Sequence, residues 1–127
     1  MRLNYFCGSI NPKGDWNIFD FSIGEKDSFY AHSKMVPSDI IVLVVGKQNP
    51  EVLSGAYAIL KCISDIYQDD ENGKTRNRIN AECLFHSGST PFILRKELEQ
   101  YIHFPIRVPV QIKKDIDRFS VLLNEYI

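Results

Sequence analysis

The chain has 127 residues, of which 44% are hydrophobic and 24% charged, with 15 basic residues against 16 acidic ones. That length predicts one domain, residues 1–127, with a core of useful size. The near balance of charge excludes attachment to nucleic acid or acidic membranes by bulk charge, although it leaves room for a local basic face.

Cys7, Cys62 and Cys83 lie far apart. A zinc site needs clustered Cys and His ligands, and a disulfide framework needs dense, even-numbered cysteines, so the pattern predicts buried thiols in a reducing cytoplasm. The first residues, Met1-Arg2-Leu3-Asn4-Tyr5, do not read as a signal peptide. The longest apolar run, Ile40 to Val45, is far too short to span a bilayer. The expectation is a cytoplasmic protein without membrane attachment.

In chain order, Leu3 to Gly8 predicts a first strand, and Ser9 to Gly14 a loop built around Asn11-Pro12. Asp15 is placed to cap a short helix over Trp16 to Phe21, because its carboxylate can accept free backbone N–H groups. Gly24 to Asp27 reads as a polar break. After the turn Pro37-Ser38-Asp39, Ile40 to Val45 is apolar at every position, as in a strand covered on both faces. A loop from Lys47 to Glu51 leads to a longer partner strand, Val52 to Ile66, in which Gly55 marks a bulge or a close backbone approach.

Gln68 to Thr75 reads as an acidic loop closed by Asn72-Gly73, a solvated hairpin tip and not a calcium loop. Beyond it the period-two alternation turns Ile79, Ala81, Cys83 and Phe85 inward and Arg78, Asn80 and Glu82 outward. Phe92 to Ile102 predicts a helix with Leu94, Leu98 and Ile102 on one face, and Ile106 to Val110 a last strand. Ile112 to Ile127 predicts an amphipathic C-terminal helix buried through Ile112, Ile116, Phe119, Leu122, Leu123 and Tyr126.

No catalytic, metal or cofactor motif is apparent. His32, His86 and His103 are dispersed, and the Ser87-Gly88-Ser89 stretch lacks the strand–turn–helix setting of a nucleophile elbow. The chemical signal is a different one. Trp16, Phe21, Phe29 and Tyr30 crowd one segment together with Phe19, beside the polar Ser9, Asn11, Asn17 and Ser22. Aromatic faces stack on nucleobases and small polar groups read base edges, as in enzymes that hold a flipped-out base. The same aromatics would equally fill one end of a small barrel, since most aromatic side chains are core residues. Lys34, Lys47, Arg76 and Arg78 are the candidate phosphate contacts, on the premise that the two hairpins lie side by side.

Four stretches carry a family resemblance: Tyr5 to Asn11, Phe29 to Val36, the step Pro37-Ser38-Asp39 into Ile40 to Leu43, and Ser54 to Ile59. The closing Pro109-Val110-Gln111-Ile112 before a terminal helix adds to them. Together they resemble the EVE domains of the PUA-like superfamily, relatives of the YTH readers of methylated RNA. The resemblance implies an α+β fold, a PUA-like curved mixed β-sheet or pseudo-barrel flanked by helices. It also implies a non-enzymatic module that reads a modified, methylated base, with DNA favoured over RNA. Ser9 and Asn11 would stand at the pocket mouth, and Trp16, Phe21, Phe29 and Tyr30 would form its walls. Such domains often stand alone in small bacterial proteins or are fused to restriction nucleases, so a nuclease is an expected partner. One rival reading is a small hydrolase of modified nucleosides, like related ASCH domains, with Thr90, Lys96 and Glu97 as candidates by residue type. The other is a protein-interaction module whose aromatics are packed solid.

Overall fold

A computed structural model of the chain describes residues 3–12, 16–47 and 51–127. The described residues form a mixed, strand-rich sheet with few helices. Its strands are β1 (Tyr5–Ser9), β2 (Lys26–Tyr30), β3 (Ile40–Val45), β4 (Gly55–Cys62), β5 (Tyr67–Glu71), β6 (Lys74–His86), β7 (Ile93–Leu94) and β8 (Val110–Gln111). The sheet order is β2-β6-β4-β3-β1-β8, with β5 pairing with β6 and β7 with β4. The β1–β3 pair is parallel, and the other pairs are antiparallel.

The unbroken apolar run of β3 has a direct structural reason. All six of its residues are buried because both faces of the strand are covered. Ile40, Val42 and Val44 join one apolar cluster with Tyr5, Cys7, Tyr101, Ile112, Phe119 and Leu123. Ile41, Leu43 and Val45 join a second with Phe6, Ile18, Phe21, Phe29, Met35 and Ile79. Helix α2 (Ile116–Asn124) covers the first face through Phe119 and Leu123, and the Tyr5 and Ser120 hydroxyls hydrogen-bond at 2.8 Å to tie it to β1.

Bulges adjust which side chains face which cluster. Opposite Leu43 and Val44, β4 contributes Ala58 and Ala56, so Tyr57 is the extra residue. Tyr57 and Ala58 consequently enter the same cluster. Between Ile59 and Leu60 the pairing with β6 skips Leu84. Ile79, Ala81 and Cys83 follow the expected alternation, but this bulge sends Phe85 to the opposite cluster.

Several expectations from the sequence are corrected. Phe92 to Ile102 is not one helix: Ile93 and Leu94 pair with Ala56 and Gly55, and only Arg95–Leu98 (α1) is helical. The strand expected at Ile106 to Val110 shrinks to Val110–Gln111. The C-terminal helix starts at Ile116, because Asp115 takes a left-handed conformation (φ 51°) that a continuing helix excludes. Between Trp16 and Phe21 only a 3-10 turn forms, Ile18–Asp20, capped by the Asn17 side chain accepting from the Phe19 N–H at 2.9 Å; the expected cap, Asp15, lies outside the described residues. The polar break extends only to Glu25, and Lys26–Asp27 already belong to β2. The partner strand of β3 is shorter than Val52 to Ile66, and much of the acidic loop after it is paired strand, with Asn72 (φ 50°) and Gly73 (φ 77°) making the two-residue turn.

Asp39 is the buried charged residue among those described. Its carboxylate accepts the Val36 N–H at 2.9 Å and the Asn4 N–H at 3.4 Å, which fixes the approach to β3 against the start of β1.

Two stability measurements test this packing. A Cβ on Gly55 would collide with the Ile93 carbonyl oxygen and stand 2.7 Å from the Pro91 Cβ. Gly55→Ala should therefore lower unfolding stability by about 2 kcal/mol, the usual scale of overpacking, read as a lower denaturant midpoint. An unchanged midpoint would refute the close approach. Burial pushes the Cys7 thiol up from 9.0 to about 12. The folded state thus keeps a proton that the unfolded chain releases. The stabilisation is complete below pH 9.0 and is lost as pH rises toward about 12. Unfolding stability should fall by about 1.4 kcal/mol per pH unit on this account, and Cys7→Ala should flatten that slope.

Candidate functional site

Strand β2 pairs with β6 so that Phe29 stands opposite Ile79 and Tyr30 opposite Arg78. The strand period then separates the two adjacent aromatics. Phe29, 7% exposed, faces the second cluster, whereas Tyr30, 49% exposed, faces outward. Trp16, half-buried, packs on that cluster with its ring centroid 5.3 Å from Phe29 and 5.2 Å from Phe21. Phe21 and Phe29 are themselves 5.8 Å apart, edge to face. Buried phenylalanines thus support a tryptophan at the surface.

Beside Trp16 and Tyr30 lies a cleft of about 450 Å³. Ser9, Ile10 and Asn11 from the exit of β1 line it, with Asp27 to Tyr30 of β2, Glu71 at the end of β5 and Arg78 of β6. Its size falls in the roughly 300–1,000 Å³ range of small-molecule sites.

Both aromatic side chains are held by carboxylates. The Trp16 indole Nε1–H donates to Asp27 Oδ2 at 2.6 Å, while Asp27 Oδ1 accepts the Ser28 N–H at 2.8 Å. The Tyr30 hydroxyl donates to Glu71 Oε2 at 2.7 Å. Arg78 lies over the Tyr30 ring, 4.8 Å from its centroid, and Nη2 donates to the Ser28 carbonyl and hydroxyl oxygens, both at 3.0 Å. Arg76 approaches the same ring at 5.9 Å. The Glu71 hydrogen bond is the main influence raising the Tyr30 phenol above its ordinary value, with the Arg78 and Arg76 charges opposing it. These partners orient the rings, and the cleft combines their aromatic surface with the Asp27, Glu71 and Arg78 side chains and with Ser9 and Asn11.

The structure therefore gathers Ser9, Asn11, Trp16, Phe29, Tyr30 and Arg78 into one cleft. Phe21 does not line it: at 5% exposure it is core, packed behind Trp16. Lys47 and Ser9 line a separate hollow of about 310 Å³ with Arg95 and Phe104. Lys34 sits in the turn after β2, its N–H donating to His32 Nδ1 at 3.1 Å, and Arg76 lies on the far side of Tyr30 from the cleft. Sequence reasoning missed Asp27, Ser28 and Glu71. A strand assignment for Lys26–Tyr30 would have exposed the first two, but Glu71 arrives only through the β5–β6 pairing.

Thr90, Lys96 and Glu97 are not among the residues lining the cleft. The His86-Ser87 pair is also committed elsewhere. His86 Nε2 is 2.8 Å from the Ile18 carbonyl oxygen, its Nδ1 accepts the Gly88 N–H, and the Ser87 hydroxyl donates to the Thr90 carbonyl at 2.6 Å. Among the described residues no three His, Cys, Asp or Glu side chains are grouped to hold a metal ion. No described helix is long and apolar enough to cross a membrane.

No family model, curated protein or solved structure matches the chain. The likeness to EVE domains thus rests on the short motifs alone, and the cleft's own chemistry carries the functional reading.

Removing the Glu71 carboxylate should move the Tyr30 phenol downward, since the largest influence raising it disappears while both arginines remain. Tyrosine ring-carbon NMR across an alkaline titration of Glu71→Ala would read the shift. A phenol that titrates unchanged would mean that Glu71 does not hold the ring.

Proposed function

We propose that the chain is a non-enzymatic nucleic-acid-binding module that takes a methylated base, extruded from its strand, into the cleft beside Trp16 and Tyr30. The supporting observation is the cleft itself: Trp16 and Tyr30, fixed by carboxylates, line it together with Ser9 and Asn11. A planar base gains from stacking on such rings, and their fixed orientation reduces the entropy lost on binding. Hydroxyl and amide groups at the rim suit hydrogen bonding to a base edge. The open cleft beside the aromatics supports this reading over an interaction module with solidly packed aromatics.

The EVE-like motifs favour a PUA-like version of the mixed sheet and a modified base as ligand. We take DNA as the polymer, because the domains that the chain resembles occur with restriction nucleases. No observed constellation favours hydrolysis, since the candidate Thr90, Lys96 and Glu97 do not meet in the cleft.

Trp16 is the only tryptophan, so its fluorescence reports directly on the site. Single-stranded DNA and RNA oligonucleotides carrying methylcytosine or methyladenine should quench it saturably, and the methylated form should bind more tightly than its unmodified counterpart. Trp16→Ala, followed by anisotropy of a labelled oligonucleotide, should weaken binding by about 5- to 150-fold, corresponding to about 1–3 kcal/mol of stacking per base. Equal, weak binding to every oligonucleotide, unaffected by Trp16→Ala, would overturn the proposal.

A further inference from the structure

The aromatic cleft is not closed at Tyr30. A small notch of about 60 Å³ shares Ser9, Ile10, Phe29 and Tyr30 with it and continues to Arg107, Val108 and Pro109. Those last three residues, with Tyr30, also line a trough of about 580 Å³ that reaches Gln68, Arg76 and Asn77. Tyr30 is the dividing wall, with the cleft on one side and the trough on the other.

The two spaces differ in charge. The cleft is lined by the carboxylates of Asp27 and Glu71, already engaged by Trp16 and Tyr30, and by Arg78, whose guanidinium donates to Ser28. The trough is lined by Arg76 and Arg107 and, among the described residues, by no acidic one. Asp70, on the adjacent hairpin, accepts from the Thr75 hydroxyl at 2.9 Å, and Asp69 stands opposite Arg76 in the β5–β6 register, but neither lines the trough. Neither trough arginine makes an ion pair among the described residues. Arg107 is exposed and comes from the irregular segment ahead of β8, so two separate parts of the chain bring these cations together.

A free nucleoside would need only the cleft. An unpaired cationic trough continuous with it suits an anion attached to the bound base at short range, and arginine pairs well with phosphate oxygens. We propose that the trough holds the phosphodiester chain next to the bound base, so that the ligand is a polynucleotide with a single-stranded or locally opened stretch. This inference rests on the base-binding reading above and adds Arg107 to the interface.

The experiment compares methylated DNA and RNA oligonucleotides with the matching methylated nucleosides, using Trp16 fluorescence over a range of salt. The oligonucleotide should bind more tightly than the nucleoside. Arg107→Gln should lower the slope of log affinity against log salt by about 0.7, the value for one single-strand phosphate contact, equivalent to about fivefold weaker binding at 0.1 M salt. Nucleoside affinity should not change. Arg76→Gln should act similarly, and circular dichroism would establish that both variants are folded. If both leave oligonucleotide affinity and salt slope unchanged while Trp16→Ala still weakens binding by anisotropy, the trough assignment fails and the base-binding reading survives. If neither nucleosides nor oligonucleotides occupy the cleft, both fall. A difference between the DNA and RNA arms decides the polymer.

Discussion

Burial of β3 on both faces is the constraint on which the rest of the structure depends. A strand whose six residues are all apolar and all buried needs cover above and below. The chain supplies the two covers from different places. The C-terminal half provides α2 and the Tyr101 to Ile112 segment for one face. The residues ahead of β3 provide Ile18, Phe21, Phe29 and Met35 for the other. That second cover is where the aromatic cleft develops, so the candidate site is the outer edge of a layer that the core already requires.

This origin explains how the aromatics divide their work. Phe21 and Phe29 bury their rings and contribute apolar area, which favours folding whether or not a ligand exists. Trp16 and Tyr30 carry an N–H and an O–H that would be costly to bury without partners. They stay at the edge, where Asp27 and Glu71 accept those protons. Buried tyrosines such as Tyr57 and Tyr5 find hydrogen-bond partners inside the protein, whereas Trp16 and Tyr30 find theirs at the rim. Once there, a ring fixed at both its apolar body and its polar tip is a preorganised stacking surface.

The most regular patterns were the most legible in the sequence. The two-sided strand at Ile40 to Val45 and the alternation from Ile79 to Cys83 appear as expected, and the C-terminal helix, shorter than Ile112 to Ile127, buries Phe119 and Leu123 of its expected face. Phe85 escaped because a bulge at Leu84 resets the period, and a single inserted residue leaves no mark in composition. The stretch from Phe92 to Ile102 has helical spacing, yet the free edge of β4 at Gly55 and Ala56 captures Ile93 and Leu94 first. Tertiary pairing decided that segment, as it often overrides local propensity. For the cleft, the aromatic residues and Ser9 and Asn11 were found, whereas Asp27 and Ser28 were hidden because Lys26 and Asp27 read as a polar break and not as strand. Glu71 was missed because it is 41 positions from the Tyr30 hydroxyl that it holds.

The placement of the cations follows from the same geometry. Arg78 and Tyr30 are directly opposed on antiparallel strands, so the guanidinium covers the ring on the exposed side of the sheet. Arg76, two residues earlier on β6, points to the same side by the strand period and approaches the same ring. Near-neutral net charge is therefore no guide to the local field here. The acids of this region accept hydrogen bonds from Trp16 and Tyr30, while the arginines retain their charge toward solvent. Tyr30 is thus shared by a trough lined by Arg76 and Arg107 and by a cleft that combines aromatic surface with hydrogen-bonded carboxylates and the Arg78 guanidinium.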